Sequence, residues 1–195
     1  MIKKALFVSG IMLFAAQAQA AAPDGNFYVG GGVGQATYYN DTIDDLDDID
    51  GVDVDDQDTA FTIFGGYRFN SYLGLELGYV DFGEATASVS GYGEVAKVEV
   101  DGGTLSLLGR LPLTSNVSLL GRAGGIYWNG KAQALGDSED QDGLDPLVGA
   151  GVELTFEQFF ARAEYTRYFL NVDVENADDE DLDIGMWAAS VGLNF

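Results

Sequence analysis

Apolar and polar side chains alternate along this chain with a period of two, and that pattern predicts β-strands. Between residues 72 and 82, large apolar residues alternate with glycine or glutamate, in the order Leu73, Gly74, Leu75, Glu76, Leu77, Gly78, Tyr79. A strand with this pattern has one apolar face and one polar or small face. Eight segments qualify, at residues 27–38, 60–69, 72–82, 98–111, 117–128, 147–156, 159–169 and 184–195.

The connections between these segments alternate in length. Short connections lie at residues 70–71, 112–116 and 157–158, and long ones at 39–59, 83–97, 129–146 and 170–183. Outer-membrane barrels have short periplasmic turns, long outward loops and tilted strands of about 9–11 residues. The fold predicted is therefore all-β, an eight-stranded antiparallel up-and-down transmembrane β-barrel.

The composition of the two strand faces indicates which one meets lipid. The face opposite the apolar one carries mainly glycine, serine, threonine, arginine and glutamate, which suits a narrow lumen better than a solvated surface. Val148, Val152, Val191 and Leu193 are accordingly expected to face lipid. The alternative is a soluble barrel with an aromatic core. Aromatic residues gather at the strand ends and are expected to form two interfacial girdles: Phe27, Tyr28, Phe69, Tyr72, Phe82, Tyr127, Trp128, Phe156, Phe159, Tyr165, Phe169, Trp187 and Phe195.

One predicted strand, 98–111, changes the phase of its alternation near Gly102 and Gly103. A β-bulge or the membrane boundary would account for the change. Both interpretations stay open at this point.

The first 20 residues have the features of a secretory signal peptide. Lys3 and Lys4 precede a short apolar segment, residues 5–16, and Ala18 and Ala20 form a small-x-small cleavage site. The apolar segment is shorter than the ~20 residues that a membrane helix needs. We therefore expect a cleaved leader at 1–20, a barrel domain at 21–195 and export to the outer membrane of a Gram-negative cell.

Composition excludes several classes of function. The chain has no cysteine and no histidine, so disulfides, cysteine-based metal sites and Ser-His-Asp triads are absent. Its net charge of −23, from 32 acidic and 9 basic residues, argues against nucleic acid as a partner. We expect neither a cofactor nor an enzymatic activity.

Most of the acidic residues lie in the long connections. Ten aspartates fall between Asp41 and Asp58, and seven acidic residues between Asp173 and Asp183. No segment matches the EF-hand pattern of calcium-binding loops. Two interpretations stay open: solvated loops, or loops that loosely bind divalent cations such as Ca²⁺ or Mg²⁺.

Seven charged residues fall on the face predicted to line the lumen. They are Arg68, Glu76, Arg110, Arg122, Glu153, Arg162 and Glu164. Counting from the turns places Glu76, Arg122, Arg162 and Glu164 near mid-barrel and the other three nearer the periplasmic end. Since an eight-stranded barrel has just enough room for side chains, these residues are predicted to form an ion-pair ladder. A gated ion path through the same charges is the alternative.

Several short stretches, in order along the chain, resemble one family. They lie at residues 27–34, 64–67, 74–79, 122–125, 149–153, 162–165 and 190–195. In these stretches the chain resembles the eight-stranded transmembrane domain of the OmpA-like family. The last strand, with Trp187, Val191, Leu193 and the terminal Phe195, resembles the family's assembly signal. That resemblance implies recognition by the barrel-assembly machinery.

The leading hypothesis is a structural and surface-interaction role, with a monomeric barrel in outer-membrane lipid and lipopolysaccharide that anchors four acidic loops outside the cell. A small gated pore or conduit for ions or small solutes is the alternative. Lipid-modifying barrels of this size rely on a histidine that this chain lacks. We expect the transmembrane domain only, without the peptidoglycan-binding domain that many family members carry.

Overall fold

The structure, a computed structural model, describes residues 26–39, 52–55, 57–89, 93–134, 137–172 and 180–195. The predicted leader, with Ala18 and Ala20, lies outside these residues. Nine strands are described: β1 Asn26–Tyr39, β2 Val52–Asp55, β3 Gln57–Arg68, β4 Leu73–Val89, β5 Gly93–Pro112, β6 Val117–Ala134, β7 Asp137–Phe156, β8 Phe159–Val172 and β9 Glu180–Asn194. Among the described residues, no helix is long and apolar enough to cross a membrane.

Eight of the nine strands close into one antiparallel barrel. Each pairs with its neighbours in the ring β1-β3-β4-β5-β6-β7-β8-β9, and β9 pairs with β1 to complete it. The additional strand, β2, pairs with the far end of β4, from Thr86 to Val89. This closed ring confirms the predicted eight-stranded antiparallel barrel. Closure also leaves the ring without an exposed sheet edge.

The predicted long connections are wrong over much of their length. β4 continues to Val89 and β5 begins at Gly93, so most of the predicted 83–97 loop is paired strand. Similarly, β6 and β7 stay paired out to Ala134 and Asp137. The segment 39–59 contains β2, and 170–183 contains the outer ends of β8 and β9. These extensions carry few large apolar residues, so the alternation that marks a half-buried strand is weak there.

At the opposite end of the barrel, the short turns lie where they were predicted. Asn70 accepts hydrogen bonds through Oδ1 from the backbone N–H groups of Tyr72 (2.8 Å) and Leu73 (3.0 Å). Glu157, in the two-residue β7–β8 turn, has a φ of 53°. Short turns gathered at one end are the pattern of the periplasmic end of an outer-membrane barrel.

The apolar faces point outward. In β4, Leu77 is 55% exposed whereas the adjacent Glu76 is 2% exposed. The four residues predicted to face lipid are likewise exposed on the outer surface: Val148, Val152, Val191 and Leu193. The chain therefore presents hydrocarbon to its surroundings and charge to its lumen, the arrangement of a membrane barrel.

Three aromatic residues assigned to the girdles point inward instead. Tyr28, Phe82 and Trp128 are buried in the lumen. Tyr28 lies in phase with the inward-facing glycines of β1, and its hydroxyl donates to Glu76 Oε2 (2.9 Å). Trp128 Nε1 donates to Asp145 Oδ2 (2.6 Å). Position near a strand end does not determine which face a ring occupies; the parity of the residue does.

The phase change near Gly102 does not come from a bulge in its own strand. Along β5 the inward parity is unbroken, but β4 carries one extra residue between Asp81 and Glu84, opposite Val100. Gly83, in this bulge, has a φ of 77°, and an added Cβ would lie 2.5 Å from Asp58 Oδ2. Only glycine fits there without strain. Val100 points into the lumen, so apolar residues change face because the interior itself is apolar at this height.

Candidate functional site: the charged lumen

The seven charged residues predicted to line the lumen all point into it. Their placement follows from strand parity, because successive side chains alternate between the two faces of a strand. They come from six consecutive strands: Arg68 from β3, Glu76 from β4, Arg110 from β5, Arg122 from β6, Glu153 from β7, and Arg162 and Glu164 from β8. We call this set the lumen ladder.

Glu153 is the centre of the turn-end half of the lumen ladder. Its side chain is 0% exposed. Its carboxylate accepts from Arg68 Nη2 (3.0 and 3.1 Å), Arg110 Nη2 (2.6 Å) and Arg162 Nη2 (3.1 Å). Three cations thus surround one buried carboxylate, an arrangement that uses the forked geometry of arginine.

Glu76 is the centre of the mid-barrel half. It accepts from Arg122 Nη2 (2.6 Å), Arg162 Nη1 (2.9 Å) and the Tyr28 hydroxyl (2.9 Å). Glu164 accepts from Arg122 Nε and Nη2. Each of these carboxylates therefore has at least one guanidinium partner, as a buried charge requires.

Arg162 joins the two halves. Its guanidinium donates to Glu76 and Glu153 and lies 3.9 Å from Glu164 Oε2. Its Cζ also lies over the rings of Phe64 (5.0 Å) and Phe160 (5.3 Å), within cation–π range. The lumen ladder is thus one connected network with four positive and three negative groups.

Aromatic rings and glycines fill the space beside the charges. Across β1 and β3, Tyr28 is paired with Gly66 and Gly30 with Phe64; across β8 and β9, Phe160 is paired with Gly192. In each pair, a Cβ added to the glycine would overlap the ring opposite. Sequence reasoning gave the glycines the role of making room, but it did not identify the rings, because the pairing depends on register.

The loop end of the lumen is packed with apolar side chains, which sequence reasoning missed. We call this cluster the loop-end plug; it consists of Ala36, Tyr38, Ala60, Val80, Phe82, Val100, Ile126, Trp128, Leu147, Tyr168, Leu170, Ile184 and Met186. Between plug and ladder lies a cavity of about 30 Å³ lined by Glu76, Arg122, Arg162, Glu164 and neighbouring threonines. The signal available in the sequence was the shared parity of these apolar residues with the inward glycines.

Two further features lie on the outer surface and at the seam. Arg167 faces outward and binds Asp183 Oδ2 through Nε (2.9 Å) and Nη2 (2.5 Å).

The seam is the junction between β9 and β1 that closes the barrel. There, Phe195 N–H donates to Phe27 O (2.8 Å), and Asn194 Oδ1 accepts from Arg68 Nη1. The residues of the predicted assembly signal, Trp187, Val191, Leu193 and Phe195, are exposed on the outer face.

Much of the two most acidic connections lies outside the residues that the structure describes. Residues 40–51 and 173–179 lie outside them, so the predicted cation-binding loops are mostly outside the structure described. Within the described ranges, no group of three or more acidic side chains is arranged to hold a metal ion.

Known proteins with similar sequences are outer-membrane proteins. Outer membrane protein A of Klebsiella aerogenes is 27% identical over 191 residues, which cover 93% of this chain and 52% of that protein. Outer membrane protein A of Escherichia coli O157:H7 is 28% identical over 185 residues, with coverage of 93% and 51%. The chain therefore spans about half the length of these curated relatives.

Solved structures with the same fold are also outer-membrane barrels. Neisserial surface protein A matches with a TM-score of 0.63 and 16% identity, covering 87% of this chain and 97% of that one. Ail, the attachment invasion locus protein of Yersinia pestis, matches with a TM-score of 0.56 and 19% identity, covering 88% and 99%. The model of the OmpA-like transmembrane domain matches residues 22–195. The resemblance seen in the sequence is thus confirmed, and this outer-membrane β-barrel belongs to the OmpA-like transmembrane domain family.

Proposed function

We propose that this protein is a structural anchor of the outer membrane whose lumen is closed and whose acidic loops act at the cell surface. The observation that carries the proposal is the connected network around Arg162, which binds Glu76 at 2.9 Å and Glu153 at 3.1 Å. A network that crosses the lumen at two heights closes the path that an ion would follow.

The energetics of the lumen support closure. Breaking one partner out of a buried ion pair typically costs ~3–5 kcal/mol, and an ion that entered would have to separate several such pairs. The cavity of about 30 Å³ beside Glu76 has room for no more than a few water molecules, since each needs about 10–15 Å³ of such space. The loop-end plug adds an apolar barrier above it, where a bare charge is unfavourable.

The charge of the chain supports a particular class of surface partner. Ail of Yersinia pestis has been solved with the heparin analogue sucrose octasulfate, a polyanion. With a net charge of −23, this chain would repel such a ligand. We propose cationic partners for its loops instead, including divalent cations that bridge the loops to lipopolysaccharide phosphates.

The remaining parts of the proposal concern assembly and chemistry. The exposed, alternating last strand that ends at Phe195 is proposed to engage the barrel-assembly machinery, and the barrel to function as a monomer. We also propose a non-catalytic role. Each glutamate of the lumen ladder is held in ion pairs with arginines, so none of the three is free to act on a substrate.

Single-channel recording of the refolded protein in a planar bilayer tests the closed lumen. We expect no steady conductance from the wild type. Glu76→Ala removes one acceptor from both Arg122 and Arg162. The variant should therefore show brief channel openings of variable conductance. Glu157→Ala, in the exposed turn, is the matched control and should behave as wild type. A stable wild-type conductance would favour the alternative, a small pore for ions or small solutes.

A further inference from the structure

The outer face of the barrel has a depression of about 690 Å³ across β7, β8, β9 and β1. Its outward-facing lining is entirely apolar: Gly31, Val33, Val152, Leu154, Ala161, Ala163, Ala189 and Val191. A volume of this size lies within the range of sites that hold small organic ligands. We call it the seam depression, because it spans the β9–β1 junction.

Strand register explains why the surface is concave here. One row across the strands reads Leu154, Ala161, Val191, Gly31, and the next row reads Val152, Ala163, Ala189, Val33. Two adjacent alanines on β8 and one on β9 form the floor. The valines and the leucine on either side stand higher and form walls; Val191 is 68% exposed.

The depression also has two ends. Toward the loops, Tyr165 and Trp187 are paired across β8 and β9, with ring centroids 5.0 Å apart. Toward the turns, Phe159 is paired with both Phe156 and Leu193. The floor therefore has larger side chains at both ends and opens outward, to the bilayer.

We propose that the seam depression binds one acyl chain of an inner-leaflet phospholipid. The surface that contains it faces hydrocarbon, so its occupant must be apolar and must come from the membrane. The lower end, at Phe159, lies next to the Glu157–Gln158 turn, which places the floor in the periplasmic half of the bilayer. A chain with a methylene repeat fits a floor of alanines because close approach gains many small dispersion contacts.

The experiment uses the refolded full barrel in nanodiscs of phosphatidylethanolamine and phosphatidylglycerol, doped with a phosphatidylethanolamine that carries a diazirine in its acyl chain. After photolysis, mass spectrometry locates the labelled residues. We expect the strands of the seam depression to be labelled about tenfold more than the outer face of β5 and β6, the ratio that about 1.4 kcal/mol of extra packing gives.

Two variants make the outcome specific. Ala163→Leu fills the floor and should remove most of this excess. Ala123→Leu, which adds the same side chain to an exposed outward position on β6, should leave it unchanged. Both variants should refold, as shown by a difference in gel mobility between unboiled and boiled samples (heat modifiability). Uniform labelling around the barrel, or excess labelling that survives Ala163→Leu, would overturn the proposal. With a diazirine amino acid placed at position 163 instead, cross-links between two barrels would also overturn the proposal, because they would identify a second copy as the occupant.

Discussion

Neutralising Glu153 is the most informative perturbation of the lumen. Its carboxylate accepts hydrogen bonds from Arg68, Arg110 and Arg162, and its side chain has no exposed surface. Glu153→Gln preserves the shape of the side chain but removes its charge. It also presents an NH₂ group to guanidinium groups that can only donate. The lumen ladder would then hold four positive groups and two negative ones.

The expected loss of stability follows from the burial of these partners. Breaking a buried ion pair typically costs ~3–5 kcal/mol. We expect the upper part of that range for Glu153→Gln, because three cations lose one acceptor at once. The side chains of Arg68 and Arg110 are 10% and 13% exposed, so some relaxation toward water at the turn end limits the cost. Glu76→Gln should cost less, because Arg122 keeps Glu164 as a partner.

Equilibrium unfolding in urea, with the barrel refolded into lipid vesicles, measures this loss through tryptophan fluorescence. Glu157→Gln, a neutralisation in the exposed β7–β8 turn, is the control and should stay within about 0.5 kcal/mol of wild type. If Glu153→Gln also stayed within that margin, the charges would not be coupled and the account of the lumen would be wrong.

Two further predictions concern the seam and the glycine–aromatic pairs. Deleting Phe195 or replacing it with Asp should reduce insertion into the outer membrane more than it changes the stability of barrel already folded; surface levels and heat modifiability measure the two effects, and normal surface levels would contradict the prediction. Gly66→Val should destabilise the barrel by about 1–3 kcal/mol, because its side chain would overlap the ring of Tyr28. Gly121→Val, where an added Cβ meets nothing within 4 Å, should be neutral or stabilising, and an equal loss in both variants would refute the packing argument.

The fold could be predicted because alternation and turn spacing depend only on local sequence. The phase of Leu73 to Tyr79 identifies both faces of β4. The turn at 70–71 makes β3 and β4 neighbours, and the turn at 157–158 does the same for β7 and β8. The outer ends of β6 and β7 could not be found in the same way. They carry few large apolar residues, and only their pairing with each other reveals them as strands.

The charged residues of the site could be predicted, but the detailed pairing could not. Parity places Glu153 and Arg162 in the lumen, yet which carboxylate meets which guanidinium depends on the stagger of the strands. The same limit applies to Phe64 opposite Gly30. The chemistry of Trp128 suits both the membrane interface and the lumen. Only the parity of its position in β6 shows that it points into the lumen.

The most direct test of the closed lumen is the accessibility of a single cysteine inside it. The chain has no cysteine of its own, and Ser106, paired with Glu76 across β4 and β5, is 1% exposed. With the barrel in vesicles, a small membrane-impermeant thiol reagent on either side should fail to modify Ser106→Cys while it readily modifies Ser115→Cys in the exposed β5–β6 turn. Modification of both cysteines at similar rates would mean that water and solute reach mid-lumen, and would contradict the account.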